Sequence, residues 1–323
     1  MVSSFLFAFG EKSVILSYYG NEFFERMKTM KDDIFQRELT WIELLSRAFQ
    51  VFAANRPAVL TVLCVIFLPL SILQSVILDR MMMGADALNS FLEVGNMGQE
   101  QVMQLMMQTI LHECLYFAVV LFLEPVGIIA IAKLTKQFLM QEELSAKKAM
   151  AEAMQMQPSI ITAGLIYGVL VILGSMLIIP GVYLAIAWCL YLYCVGLCGD
   201  GGWRALCHSR ELVKGNWWKT CLYYLALSAV VYLWNTVFQV IYLIGEPNSA
   251  TDALYHFLTY FSNAFMVTGM ALLFINRETM VGGMRIFAQA EEVSAQKAEE
   301  SAESVDKALP AEVEKDTEKN EEE

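Results

Sequence analysis

A chain of 323 residues that is 57% hydrophobic and 17% charged, with a mean hydropathy of +0.48, carries more apolar surface than a water-soluble domain can hide. Its formal net charge of −12 is mostly a property of the C-terminal end, where Gln289–Glu323 holds 13 Asp and Glu against four Lys. These figures exclude an ordinary soluble domain and direct attention to membrane spans.

The chain opens with Phe5-Leu6-Phe7-Ala8-Phe9, which lacks a basic flank and is cut short by Gly10-Glu11, so it does not read as a secretory signal. Residues 1–38 are expected to be a mobile arm. Trp41, Leu44, Leu45, Ala48, Phe49 and Phe52 then follow helical spacing and place one apolar side on a surface-lying helix. Thr40 with Glu43 forms a capping box at its start, and Pro57 is expected to close it.

A helix crossing the hydrocarbon core needs about 20 mainly apolar residues. Six stretches meet that demand: Ala58–Leu78, Ile110–Ala132, Ser159–Ile179, Val182–Leu197, Thr220–Ile244 and Ala253–Ile275. Between the first two lies an expected loop, Asp79–Thr109. The third and fourth are separated by only Pro180-Gly181 and should form a hairpin. Amphipathic patterns recur before the third span (Ala146, Ala149, Met150, Ala153 and Met154 behind Ser145) and before the fifth (Ala205, Leu206, Ser209, Leu212 and Val213). The predicted fold is therefore all-α and polytopic, with six transmembrane helices in three hairpins, each preceded by an interfacial helix on the cytoplasmic side. It occupies residues 39–288, and residues 289–323, rich in Ala, Glu, Lys and Ser, should form a disordered acidic tail.

Orientation follows from the basic residues. Of the 22 Lys and Arg, all but Arg80 fall in every second gap between the spans, which places those gaps and both ends in the cytoplasm by the positive-inside rule.

The run Ile178-Ile179-Pro180-Gly181-Val182-Tyr183-Leu184, then Trp188, Ala205-Leu206 and Ser209–Trp218, resembles the membrane domain found beside some bacterial glycerophosphodiester phosphodiesterases. It is similar also to the stand-alone YciC-like inner-membrane proteins. His208 departs from the pattern, which has a basic residue there. The resemblance implies six helices and no defined chemistry. A phosphodiesterase catalytic domain is not expected here, because only 48 residues lie beyond Ile275 and they are rich in charge.

Glu124 is the one carboxylate well within a span, and Pro125 beside it removes a helix hydrogen bond. Counting along the helices puts Glu124, Asn235 and Asn263 near one another as an intramembrane polar cluster, either structural glue or part of a solute or proton path. Trp203, Arg204, Arg210, Lys214, Trp217, Trp218 and Lys219 form a basic, aromatic collar suited to anionic lipid headgroups. The patch is small and pressed to a membrane, so nucleic acid is not expected as a partner. The seven cysteines form no CxxC pair and read as apolar fillers. Cys194, Cys198, Cys207 and His208 are not read as a metal set, since the first two fall in a span. No catalytic group, cofactor or metal is expected. The sequence thus points to a non-enzymatic membrane scaffold or lipid-interacting envelope protein, whose acidic tail offers a surface to a protein partner. A small-solute or proton-coupled transporter using Glu124 is the alternative.

Overall fold

The computed structural model describes residues 34–94, 99–245 and 248–281. The arm before residue 34 and the acidic tail lie outside these residues. Every described element is helical. In chain order these are α1 (Trp41–Val62), a π turn (Leu63–Phe67), α2 (Leu68–Val94), α3 (Gln99–Met140), α4 (Ala146–Gln155) and α5 (Gln157–Ser175). They are followed by α6 (Ile178–Ala187), α7 (Tyr191–Cys198), α8 (Gly202–Val213), α9 (Trp217–Ile244) and α10 (Ser249–Met280).

Six helical segments are long and apolar enough to cross a membrane: Trp41–Arg80, Met103–Met140, Gln157–Ser175, Ile178–Cys198, Trp217–Ile244 and Ser249–Met280. Each overlaps one stretch expected from hydropathy. In the apolar window of α10, 67% of residues are buried, against 11% in α5 and in α9. So α10 is the core rod, and α1, α2, α3 and α9 pack around it. The outer helices present large apolar side chains, such as Ile172 at 68% exposure and Leu233 at 64%. Such surfaces need hydrocarbon rather than water as solvent.

Phenols reinforce the hub: the Tyr193 hydroxyl of α7 donates to the Val267 carbonyl at 3.3 Å, and that of Tyr223 on α9 donates to the Gly269 carbonyl at 3.0 Å. Gly269 keeps this approach close, since a Cβ there would stand 2.7 Å from a Leu227 methyl and displace that side chain.

The capping box forms as expected, with the Glu43 N–H donating to the Thr40 hydroxyl and the Glu43 carboxylate accepting from the Thr40 N–H. Three boundaries differ from the sequence reading. Pro57 does not close α1; the helix runs through it, because burial of Ala48, Phe52 and Val59 offsets the loss of one helix hydrogen bond. Pro69 similarly removes a hydrogen bond, and the turn before it widens so that the Leu68 N–H reaches back to Leu63. The expected loop Asp79–Thr109 is largely helical, since Met, Leu, Ala and Gln dominate it and favour helix. The turn joining α5 to α6 lies at Met176-Leu177, with Pro180 in the first turn of α6, where its missing N–H loses nothing. Gly181 lets the two helices meet, since a Cβ there would lie 2.7 Å from the Ser175 Cα.

The fourth span is broken. Between α6 and α7 the chain turns at Trp188–Leu190, which frees backbone groups that a span cannot leave unpaired. Ser209 of α8, fully buried, closes the gap: its hydroxyl donates to the Ala187 carbonyl at 3.1 Å and accepts from the Leu190 N–H at 3.2 Å. The face Ala205, Leu206, Ser209, Leu212 and Val213 is thus buried against protein.

Ser209→Ala is expected to lower the thermal midpoint by several degrees in detergent, reflecting about 1–3 kcal/mol for unpaired buried groups. An unchanged midpoint would mean that the break finds its partners elsewhere.

Candidate functional site

Two linked polar assemblies lie where α8 meets the last turns of α10. The first begins at Gly199, which ends α7 in the left-handed conformation (φ 73°) and sends the chain back through Asp200 into α8. His208, two turns into α8, sits between two carboxylates: Nδ1 lies 2.6 Å from Asp200 Oδ2, and Nε2 lies 2.8 Å from Glu278 Oε2. Asp200, His208 and Glu278 are 5%, 7% and 2% exposed. Carboxylates accept but do not donate, so an imidazolium donating from both nitrogens satisfies the pair. The hydrogen bond to Glu278 raises the His208 pKa most, burial opposes it, and Asp200 adds to the rise. Arg204 lies 2.9 Å from the second Asp200 oxygen and brings the group close to neutrality. Cys198, at the end of α7, offers its thiol beside the same His208 and Glu278.

The second assembly uses the neighbouring residues of α10. Asn276, fully enclosed, donates from its amide to the Ile34 and Arg37 carbonyls at 2.7 and 2.8 Å and accepts from the Leu39 N–H at 3.3 Å. Residues 34–38, which the sequence reading assigned to the mobile arm, are thereby strapped to α10. Arg277 and Lys219 both grip Glu38, the latter at 3.0 Å. The hydrogen bond from Lys219 chiefly holds the Glu38 carboxyl below its ordinary range, with Arg277 adding to it.

The collar residues divide among different tasks. Arg204 belongs to the His208 group and Lys219 to the strap. Arg210 and Lys214 are exposed, and among the described residues neither forms an ion pair. They line an open cleft of about 430 Å³ together with Tyr183, Cys207, Glu211 and Trp217. Trp217 stacks on Tyr183 at 6.0 Å and meets Trp218 edge-on at 4.7 Å, while Trp203 meets Trp188 at 6.3 Å. Trp218 and Trp203 are exposed at 78% and 56%.

The expected intramembrane cluster is distributed differently. Asn235 accepts a hydrogen bond from Ser262 across α9 and α10, and no hydrogen bond joins Glu124 to Asn235 or Asn263 among the described residues. Glu124 instead lies within electrostatic range of the Tyr116, Tyr191 and Tyr260 phenols. Gln74 bridges two of these, donating to Tyr116 at 2.9 Å and accepting from Tyr260 at 3.3 Å. In the turn before Pro125, the Phe122 carbonyl accepts from the Gln157 amide at 2.7 Å.

Sequence reasoning missed Asp200, Glu278 and Gln74. The first two are separated from His208 by 8 and 70 residues, so no local motif announces them. The available signal was that Asp200 is the lone acid in a glycine-rich link and Glu278 lies three residues beyond the expected end of the sixth span. No family model, no curated protein and no solved structure matches the chain.

The depressed Glu38 pKa carries a sign for stability. A carboxylate held below its unfolded pKa of about 4.3 stabilises the fold above that pH and loses the contribution as pH falls through its folded pKa. Glu38→Gln should therefore melt below the native chain at neutral pH, and the two should converge on acidification. A gap that persists or widens in acid would exclude the ion pairs as its source.

Proposed function

We propose that this chain is a non-enzymatic, lipid-interacting protein of the bacterial inner membrane, akin to the YciC-like proteins, with both ends in the cytoplasm. Its six spans form three hairpins, each preceded by an amphipathic helix at the cytoplasmic face. The observation that carries the reading is the Arg210–Lys214 cleft. Two cations four residues apart, against the single carboxylate of Glu211, share its lining with the apolar and aromatic side chains of Tyr183, Val213 and Trp217. That combination suits a phosphate headgroup above an acyl chain, and each basic side chain near an anionic surface contributes about 1 kcal/mol. Trp218 and Trp203, half or more exposed, are anchors of the interfacial type. The acidic tail is left to meet a basic protein partner.

Native mass spectrometry of the full chain from mixed phosphatidylglycerol and phosphatidylethanolamine micelles tests the cleft. Wild type should retain phosphatidylglycerol preferentially, and Arg210→Ala with Lys214→Ala should reduce that preference roughly 10- to 30-fold. Equal retention in both proteins, or no anionic preference in wild type, would refute the lipid site. Single cysteines placed in 81–108 should label only from outside the cell; labelling from the cytoplasm would overturn the orientation.

The Gln74–Tyr116–Tyr260 network beside Glu124 favours one second reading, a proton-coupled carrier. In that case reconstituted protein dissipates a pH gradient, and both Glu124→Gln and Glu124→Leu abolish the flux. Structural glue predicts no flux and a fold that tolerates Gln.

A further inference from the structure

The group at the junction of α7, α8 and α10 contains more than an ion bridge requires. Cys198, His208 and Glu278 each direct one ligand atom into the same space, and these atoms lie within 4.8 Å of one another. The three residues are 8%, 7% and 2% exposed. They come from three separate helices, so the convergence is not a product of sequence proximity.

We propose that Cys198, His208 and Glu278 bind one divalent transition-metal ion of the zinc class, with Asp200 as the positioning residue for the His208 ring. The donor set is thiolate sulfur, imidazole nitrogen and carboxylate oxygen, a mixture that zinc accepts and that calcium and magnesium, which prefer oxygen, do not. A thiolate and a carboxylate supply two negative charges against a dication, so the assembled centre is neutral, as a buried site requires. The second shell is already in place. Asp200 Oδ2 lies 2.6 Å from His208 Nδ1, so it holds the ring with Nε2 directed at Glu278. A carboxylate on the far nitrogen of a ligating histidine fixes its tautomer and raises its basicity. Arg204 in turn holds Asp200 at 2.9 Å. On binding, the metal takes the place of the proton on Nε2, and Cys198 releases its own proton to solvent. Three protein ligands leave a tetrahedral ion one position for water or a small ligand. The site is independent of the lipid cleft, since neither Arg210 nor Lys214 belongs to it.

The full chain, purified in detergent, stripped by chelator and reloaded with Zn²⁺, gives the decisive measurement by X-ray absorption. One zinc per chain is expected, with a single sulfur at about 2.3 Å and nitrogen and oxygen ligands at about 2.0–2.2 Å. Cys198→Ser should lose the sulfur, and Asp200→Asn should keep it while weakening zinc affinity about 10- to 100-fold. Failure to retain stoichiometric zinc overturns the proposal and leaves an imidazolium bridge. So does a shell with no sulfur, or with two, which would bring in Cys194. Should Cys198→Ser fail to fold, the wild-type shell decides alone.

Discussion

A transmembrane segment has no water with which to satisfy its own backbone, and the fourth span of this chain is interrupted in its middle. The hydroxyl of Ser209 reaches both sides of that interruption. The consequence is positional: α8 cannot lie freely on a lipid surface, because one of its side chains completes another helix. With α8 seated, His208 is aimed inward between Asp200 and Glu278, and Arg210 and Lys214, on the opposite side, border the cleft. The placement of the His208 group and of the cleft thus depends on α8, which this pair of hydrogen bonds ties to a broken helix.

The C-terminal end of α10 gathers the rest. Asn276, Arg277 and Glu278 are consecutive, and about 100° of helical rotation separates each from the next. They therefore address three neighbours: Asn276 the strap at residues 34–39, Arg277 the carboxylate of Glu38, and Glu278 the imidazole of His208. A helix that is apolar for most of its length ends in a turn whose polar groups hold two segments, the strap through Asn276 and Arg277 and α8 through Glu278, and all three residues are buried.

The spans were legible because hydrocarbon imposes a length and a composition that few other environments demand. The capping box was legible because both partners lie within one turn. Helix ends were not: Pro57 and Pro69 each carry a local signal for interruption, yet packing of Phe52, Val59 and Phe67 holds the rod together through both. Pro180-Gly181 looks like a turn by composition, but Pro is equally suited to a first helical turn, and Gly181 serves the close approach of two helices. Ser209 was visible as a member of an apolar face, whereas its hydroxyl chemistry depends on an unwound segment 20 residues earlier. The group around His208 was illegible for a similar reason. Its members are ordinary singly, and only the fold brings Asp200, Cys198 and Glu278 to one ring.

The separation of 70 residues between His208 and Glu278 has a consequence for biogenesis. The ribosome releases α8 well before α10 exists, so during synthesis the imidazole has only one of its two carboxylates and the strap has no asparagine to hold it. Native closure awaits the final rod, which makes α10 the keystone: a nascent chain halted short of it carries spans that insert but do not lock.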